Sequence, residues 1–185
     1  ERFPEHLPEL DLALHTGLRL SEMYSLIWEN VNVSRRVLTV LRSKNGERRH
    51  VPLNGAALAA LERIRAQGDG SGPIFRNAEG ERLTGPRYWF EPAIQTAKIR
   101  DFTWHCLRHT FASRLVMAGV DIRPVQELMG HKQISMTVRY CHLAPSHQLA
   151  AVERLTGERV ETDTARPTGT KTSTGQTEQA ETEAA

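Results

Sequence analysis

Glycine punctuation sets the tightest limit on what this chain can fold into. Stretches with apolar residues at helical spacing repeatedly run into a glycine, so the helices must be short. Leu7, Leu10, Leu12, Ala13 and Leu14 predict a buried helix over 6–15 that stops at Gly17. Leu107, Phe111, Leu115 and Val116 predict one over 106–118 that stops at Gly119. Val125, Leu128 and Met129 predict a third, after Pro124 and before Gly130. Further helices are expected from a cap at Ser21, over 56–67, 86–98 and 135–140, and last over 146–155. Leu26, Ile27 and Trp28 are read as core contacts of the Ser21 helix, with Trp28 a packed core aromatic. One stretch alternates instead. Val37 to Arg42 reads as a strand, Asn45-Gly46 as a hairpin turn and His50 to Leu53 as the returning strand. Another short strand fits around Ile74 and Phe75.

Charge divides the chain unevenly. The formal net charge is +2, but from Glu158 onward the sequence holds 3 basic and 6 acidic residues. The part before it therefore carries about +5, a balance that permits phosphate binding without proving it. Beyond Gly157 there is almost nothing apolar to bury, and 158–185 is expected to be a disordered tail. Cys106 and Cys141 form no CxxC pair, which disfavours a disulfide scaffold and makes a cytoplasmic setting the default expectation. No apolar run has the length of a membrane span.

Polar residues of one chemical kind recur beside the helix ends. Arg19 sits on a turn in His15-Thr16-Gly17-Leu18-Arg19-Leu20-Ser21-Glu22, and Lys44 stands at the edge of the hairpin turn. His105 and Arg108, three residues apart, share one helical face, while Leu107 and Phe111 belong to a core-directed face. His109 adjoins the first face and reads as a structural histidine with a satisfied ring. His131 follows Gly130 at a helix end, and Tyr140 lies nine residues later in Val138-Arg139-Tyr140-Cys141-His142.

The runs HTGLRLSEMYSLIW, HCLRHTFASRLVMAGV, LMGH and TVRYCH together resemble the tyrosine recombinases, also called the phage integrase family. The likeness covers nearly everything from Leu7 to Leu155 and includes the ordered set Arg, Lys, His-x-x-Arg, Gly-His and Tyr. It implies a mainly α fold with a small antiparallel β-sheet (α+β), like a tyrosine recombinase catalytic domain, over 1–157. It also implies a preceding DNA-clamping domain, absent here, and strand cleavage and rejoining through a 3′-phosphotyrosyl intermediate. By the same resemblance Arg19 and Arg108 grip the scissile phosphate, and Lys44 protonates the leaving 5′ oxygen. His105 helps handle the nucleophile's proton, His131 is a further donor to the phosphate, and Tyr140 is the nucleophile. Glu22 matches a supporting acidic position. The implied partner is double-stranded DNA, bound by a homo-tetramer coupled through the 146–155 helix, in the cytoplasm and associated with the nucleoid; no cofactor and no membrane are implied.

Elementary chemistry asks for the same residue types. Two planar guanidiniums can hold phosphate oxygens bidentately and stay charged at any physiological pH. A tyrosine hydroxyl with a reference pKa of about 10 needs its proton taken or its anion stabilised before it attacks. A lysine is protonated at neutral pH and can act as the acid for a 5′ alkoxide. Arginines supply the charge that a metal supplies in many nucleases, so none is expected. A zinc site is the rival reading for His105, Cys106, His131, Cys141 and His142, but these have no recognised ligand spacing. Two other readings remain open: relaxation of supercoils like a type IB topoisomerase, and a DNA-binding fragment that does not cut.

Overall fold

The computed structural model describes residues 3–41, 48–86, 88–144 and 152. Two units are distinguished, Glu1–Pro145 and Ser146–Ala185. Everything that follows concerns the first; of the second, Val152 alone is described, helical and exposed. The expected tail over 158–185, the rest of the 146–155 helix and the Asn45-Gly46 turn lie outside the described residues.

Seven helices and three strands are described. The helices are α1 (Leu7–Thr16), α2 (Leu20–Tyr24), α3 (Gly55–Arg65), α4 (Phe90–Thr96), α5 (Trp104–Met117), α6 (Ile122–Met129) and α7 (Ser135–Val138). The strands β1 (Val31–Asn32), β2 (Val37–Val40) and β3 (Arg49–Pro52) form one antiparallel sheet in the order β1-β2-β3. Val40 pairs with Arg49 and Val37 with Pro52, which is the hairpin expected from the alternation. β1 was not expected; two residues are too few to leave a periodic signal. Around Ile74 and Phe75 the chain makes isolated bridges, Ile27 to Pro73 and Arg76 to Arg82, rather than a strand.

Two hydrophobic clusters organise the unit, and α5 belongs to both. The larger one joins Leu12 and Ala13 of α1, Ala57, Ala60 and Leu61 of α3, the sheet residues Leu38, Val40 and Val51, and the aromatic group Tyr24, Phe75, Trp89, Phe90 and Trp104. The smaller one joins Phe111, Ala112 and Val116 of α5 to Val125 and Met129 of α6 and to Tyr140. Tyr24 also donates to the Glu9 carboxylate at 2.5 Å inside the first cluster. The inner face of α5 thus packs into the first cluster near its start and into the second toward its end, which fixes its orientation and everything mounted on it.

Two expectations need correction. Ser21 is exposed and caps nothing; Arg19 is the residue before α2, and its N–H donates to Glu22 Oε2 at 2.9 Å. The back-reaching carboxylate satisfies an orphan helix donor, half of a capping box. Trp28 lies past the end of α2 rather than on it, and packs, partly buried, against the first cluster with the Arg65 guanidinium 5.6 Å from its ring centroid.

Gly17 ends α1 in the left-handed conformation, with φ of 61°. A Cβ there would come within 2.3 Å of the Phe111 ring. Gly17→Ala is therefore expected to cost about 2–4 kcal/mol, the sum of left-handed strain and overpacking. Urea unfolding of the two proteins measures it, and a loss below about 0.5 kcal/mol would mean the turn relaxes freely.

Candidate active site

The turn after α1 brings Arg19 to the helix α2 terminus in an extended conformation, and Glu22, one turn on, faces back toward it. Glu22 is 1% exposed and acts as a hub. Its Oε1 accepts from Arg19 Nη1 at 2.8 Å and from Arg49 Nη1 at 2.7 Å. Its Oε2 accepts from the Arg19 N–H and, at 2.7 Å, from Arg49 Nη2. Arg49 thus grips the carboxylate with both arms of its fork, the geometry that favours arginine over lysine. The Arg49 side chain also runs close over Gly130, where a Cβ would sit 3.0 Å from its Cδ.

Burial by itself would raise the Glu22 pKa. The Arg49 hydrogen bonds, the Arg19 backbone N–H, the Arg49 charge and the Arg19 side-chain hydrogen bond outweigh it and bring the value from 4.5 down to about 2. A folded-state pKa below the unfolded one contributes stability that is complete above about pH 4.5 and is lost as pH falls toward 2. The stabilisation at stake is about 3 kcal/mol. Glu22→Gln is expected to flatten that part of the acid-denaturation curve. Unchanged acid sensitivity in the variant would assign it to other carboxylates.

Arg108 is 2% exposed, and its burial is compensated by backbone. Nη1 donates to the Gly17 carbonyl at the end of α1, and Nη2 to the Met129 carbonyl at the end of α6. Both acceptors lie at helix C-termini, where the dipole favours a cation. Burial and the nearby Arg19 charge lower its pKa from 12.5 to about 10, so it stays positive at neutral pH. Arg19 Nη2 donates to the next carbonyl, that of Gly130, at 3.2 Å. The two guanidiniums are thereby hung side by side from consecutive carbonyls. Each has five N–H donors, and these bonds leave three of each unused.

The remaining groups surround that pair. His131 Nδ1 lies 2.9 Å from the hydroxyl of Thr137, which is fully buried in α7, and the His131 carbonyl accepts from Gln126 Nε2 at 3.0 Å. Burial and then the charges of Arg108 and Arg19 lower the His131 pKa to about 4. His105 is exposed on α5, its pKa lowered by burial and then by His109, Arg108, Arg19 and Arg139. Tyr140 is 6% exposed, and its Oη lies 2.6 Å from His109 Nδ1. Burial raises the Tyr140 pKa, opposed by Arg139 and Arg108.

Arg19, Glu22, Arg108, His131 and Tyr140 thus stand around the ends of α1 and α6 together with α5. Lys44 lies outside the described residues; the strands that flank it, β2 and β3, are described and paired. Sequence reasoning did not foresee that Arg49 would grip Glu22 or that His109 would meet Tyr140. Both had a signal. Arg49 is two residues before the buried Val51 and so on the same face of β3, an odd place for an arginine with nothing to hold. His109 is four residues from His105, on the same side of α5.

Comparison with known proteins decides the relationship. Residues 6–147 match the model of the phage integrase family. The chain belongs to the phage integrase family. Among the relatives of this integrase-family chain is the tyrosine recombinase XerC of Roseiflexus castenholzii, 37% identical over 145 residues that cover 72% of this chain and 46% of that protein. This chain thus spans about half the length of the curated relatives it matches. Among solved structures, the catalytic domain of bacteriophage HP1 integrase matches with a TM-score of 0.65 at 32% identity, covering 81% of this chain and 82% of that one. The Tn1549 transposon integrase, in complex with circular intermediate DNA, matches with a TM-score of 0.68 at 27% identity, covering 81% and 59%. The fold is that of a tyrosine recombinase catalytic domain, mainly α with its small antiparallel sheet. Among the described residues no helix is long and apolar enough to cross a membrane.

Proposed function

We propose that this chain is the catalytic part, residues 1–157, of a site-specific DNA recombinase that cuts and rejoins strands through Tyr140. The observation that carries this reading is the pair of guanidiniums of Arg19 and Arg108, anchored on the consecutive carbonyls of Gly130 and Met129. Such a pair fits the non-bridging oxygens of one phosphodiester, and its donors are in place before substrate arrives, so little reorganisation is needed in the transition state.

The step balances without an external energy source. Tyr140 Oη forms a bond to phosphorus while the bond from phosphorus to the 5′ oxygen breaks. The tyrosyl proton passes to the histidine side of the site, where His105 stands, and Lys44 gives a proton to the departing 5′ oxygen. His131, fixed by Thr137, donates to a phosphate oxygen, and Glu22 holds Arg19 in register. The phosphotyrosyl ester keeps the energy of the broken linkage, so a 5′ hydroxyl from another strand reverses the step. Its partner is double-stranded DNA, a reading supported by the likeness to the Tn1549 integrase, which was solved in complex with circular intermediate DNA. Several copies act together as a homo-tetramer, coupled through the 146–155 helix.

The test is a covalent adduct. The protein encoded by the source gene is incubated with nicked duplexes tiling the DNA that flanks the gene, then denatured, and the labelled peptide is sequenced. An adduct on Tyr140 is expected, and mapping its DNA end gives the target site. Specific DNA binding with no adduct would favour a binding module, and an adduct on another residue would displace Tyr140 from its role.

A further inference from the structure

His105 is the histidine that the His-x-x-Arg pattern selects, yet among the described residues the hydrogen-bond partner of the Tyr140 hydroxyl is His109, at 2.6 Å. The contact is built rather than incidental. His109 stands in the middle of α5, a helix whose first turns pack into one cluster and whose later turns pack into the other, and Tyr140 is itself a member of the second cluster. The two rings are 5.9 Å apart between centroids. The His105 ring meets the His109 ring edge-on, 4.6 Å between centroids and 89° between planes. Among the described residues the tyrosyl oxygen is thus hydrogen-bonded to His109, while His105 is in ring contact with His109.

The geometry points to His109 as a further catalytic residue, the group that positions Tyr140 Oη and takes its proton as the bond to phosphorus forms. The inference rests on the reading of Tyr140 as nucleophile. The charged and titratable groups facing His109 are Tyr140, Arg139 at the end of α7, and Arg108 and His105 on its own helix. Burial first, then the charges of Arg139 and Arg108, lower the His109 pKa, so the ring is neutral at pH 7. Its Nδ1 then accepts from the Tyr140 hydroxyl, with the ring proton on Nε2. In the reaction Oη–P forms, P–O5′ breaks, the tyrosyl proton moves to Nδ1, and the 5′ oxygen is protonated from Lys44. On reversal the same nitrogen returns the proton to the leaving tyrosine, so one residue serves both directions. The proton handling that the resemblance assigns to His105 is shared with the neighbour that touches the oxygen.

Two variants and one spectrum test this on the full protein. His109→Leu removes the acceptor, and its single-turnover adduct rate on a nicked duplex carrying the mapped site is expected to fall about a hundredfold. His109→Asn keeps an acceptor oxygen but cannot titrate. It is expected to keep part of the rate and to lose the decline that the intact protein shows as pH falls through the His109 pKa. Independently of activity, imidazole NMR should show the His109 midpoint rising in Tyr140→Phe, because the hydroxyl donor that favours the neutral ring is gone. Adduct formation at the intact rate in His109→Leu overturns the proposal while leaving Tyr140 in its role. So does an unchanged acid decline in His109→Asn together with an unmoved midpoint. An intact protein that makes no adduct on any duplex removes the recombinase reading itself, and this proposal with it.

Discussion

Tyr140→Phe is expected to lose all detectable covalent adduct while binding DNA within about threefold of the intact protein, less than about 0.7 kcal/mol. The substitution removes one oxygen. The ring stays packed with Phe111, Val125 and Met129 in the second cluster, so the fold has little to lose beyond the bond to His109. That bond is worth about 1 kcal/mol net. Catalysis has everything to lose, because the oxygen that leaves is the one that would bond to phosphorus. The measurement is a denaturing gel of the adduct beside a binding titration at one stated salt concentration, since binding through phosphates depends steeply on salt. Residual adduct in the variant would show a second nucleophile. Lost binding with lost adduct would show that the tyrosine holds the surface together rather than reacting.

Arg108→Lys is expected to lower the adduct rate by about 10²–10³ and to destabilise the fold by about 2–4 kcal/mol. A planar fork reaches the carbonyls of Gly17 and Met129 at once, and a single ammonium does not. One buried carbonyl is left without a donor, and the donors meant for phosphate move. Both losses are measurable separately, the first in single turnover at a temperature where the variant is folded, the second in urea. If the rate loss equals the unfolded fraction, Arg108 is a tie between α1 and α6 and nothing more. A rate loss far beyond it places the guanidinium on the phosphate.

Much of the site was legible before any coordinates because spacing along short helices carries it. His105 and Arg108 share a face, Glu22 sits one turn from Arg19, and Gly130 frees His131 from the helix end. The helix ends were legible too, since left-handed turns at Gly17 and Gly130 are written in the residue type. Where the reading stopped short, residue type alone did not say which neighbour would be chosen. Ser21 looked like a cap because serine often is one, but the helix starts a residue earlier and the Glu22 carboxylate, three residues from Arg19, meets the Arg19 N–H instead. Trp28 does pack against the first cluster, as aromatics usually do, but from beyond the end of α2 and only partly buried. His109 read as a structural histidine with a satisfied ring, and the ring does have a partner, but which one, Tyr140 at 31 residues on, could not be read locally.

The order of short helices, the hairpin and the family-specific set of residue types were determined by the sequence itself, through periodicities and turn residues that act over a few positions. Which donor meets which acceptor was decided only in three dimensions. Arg49 finds Glu22 27 residues away, Arg19 finds Gly130 across 111, and Arg108 joins the ends of two helices. Those pairings follow from how distant elements pack against one another, and such packing leaves no periodic trace in the chain.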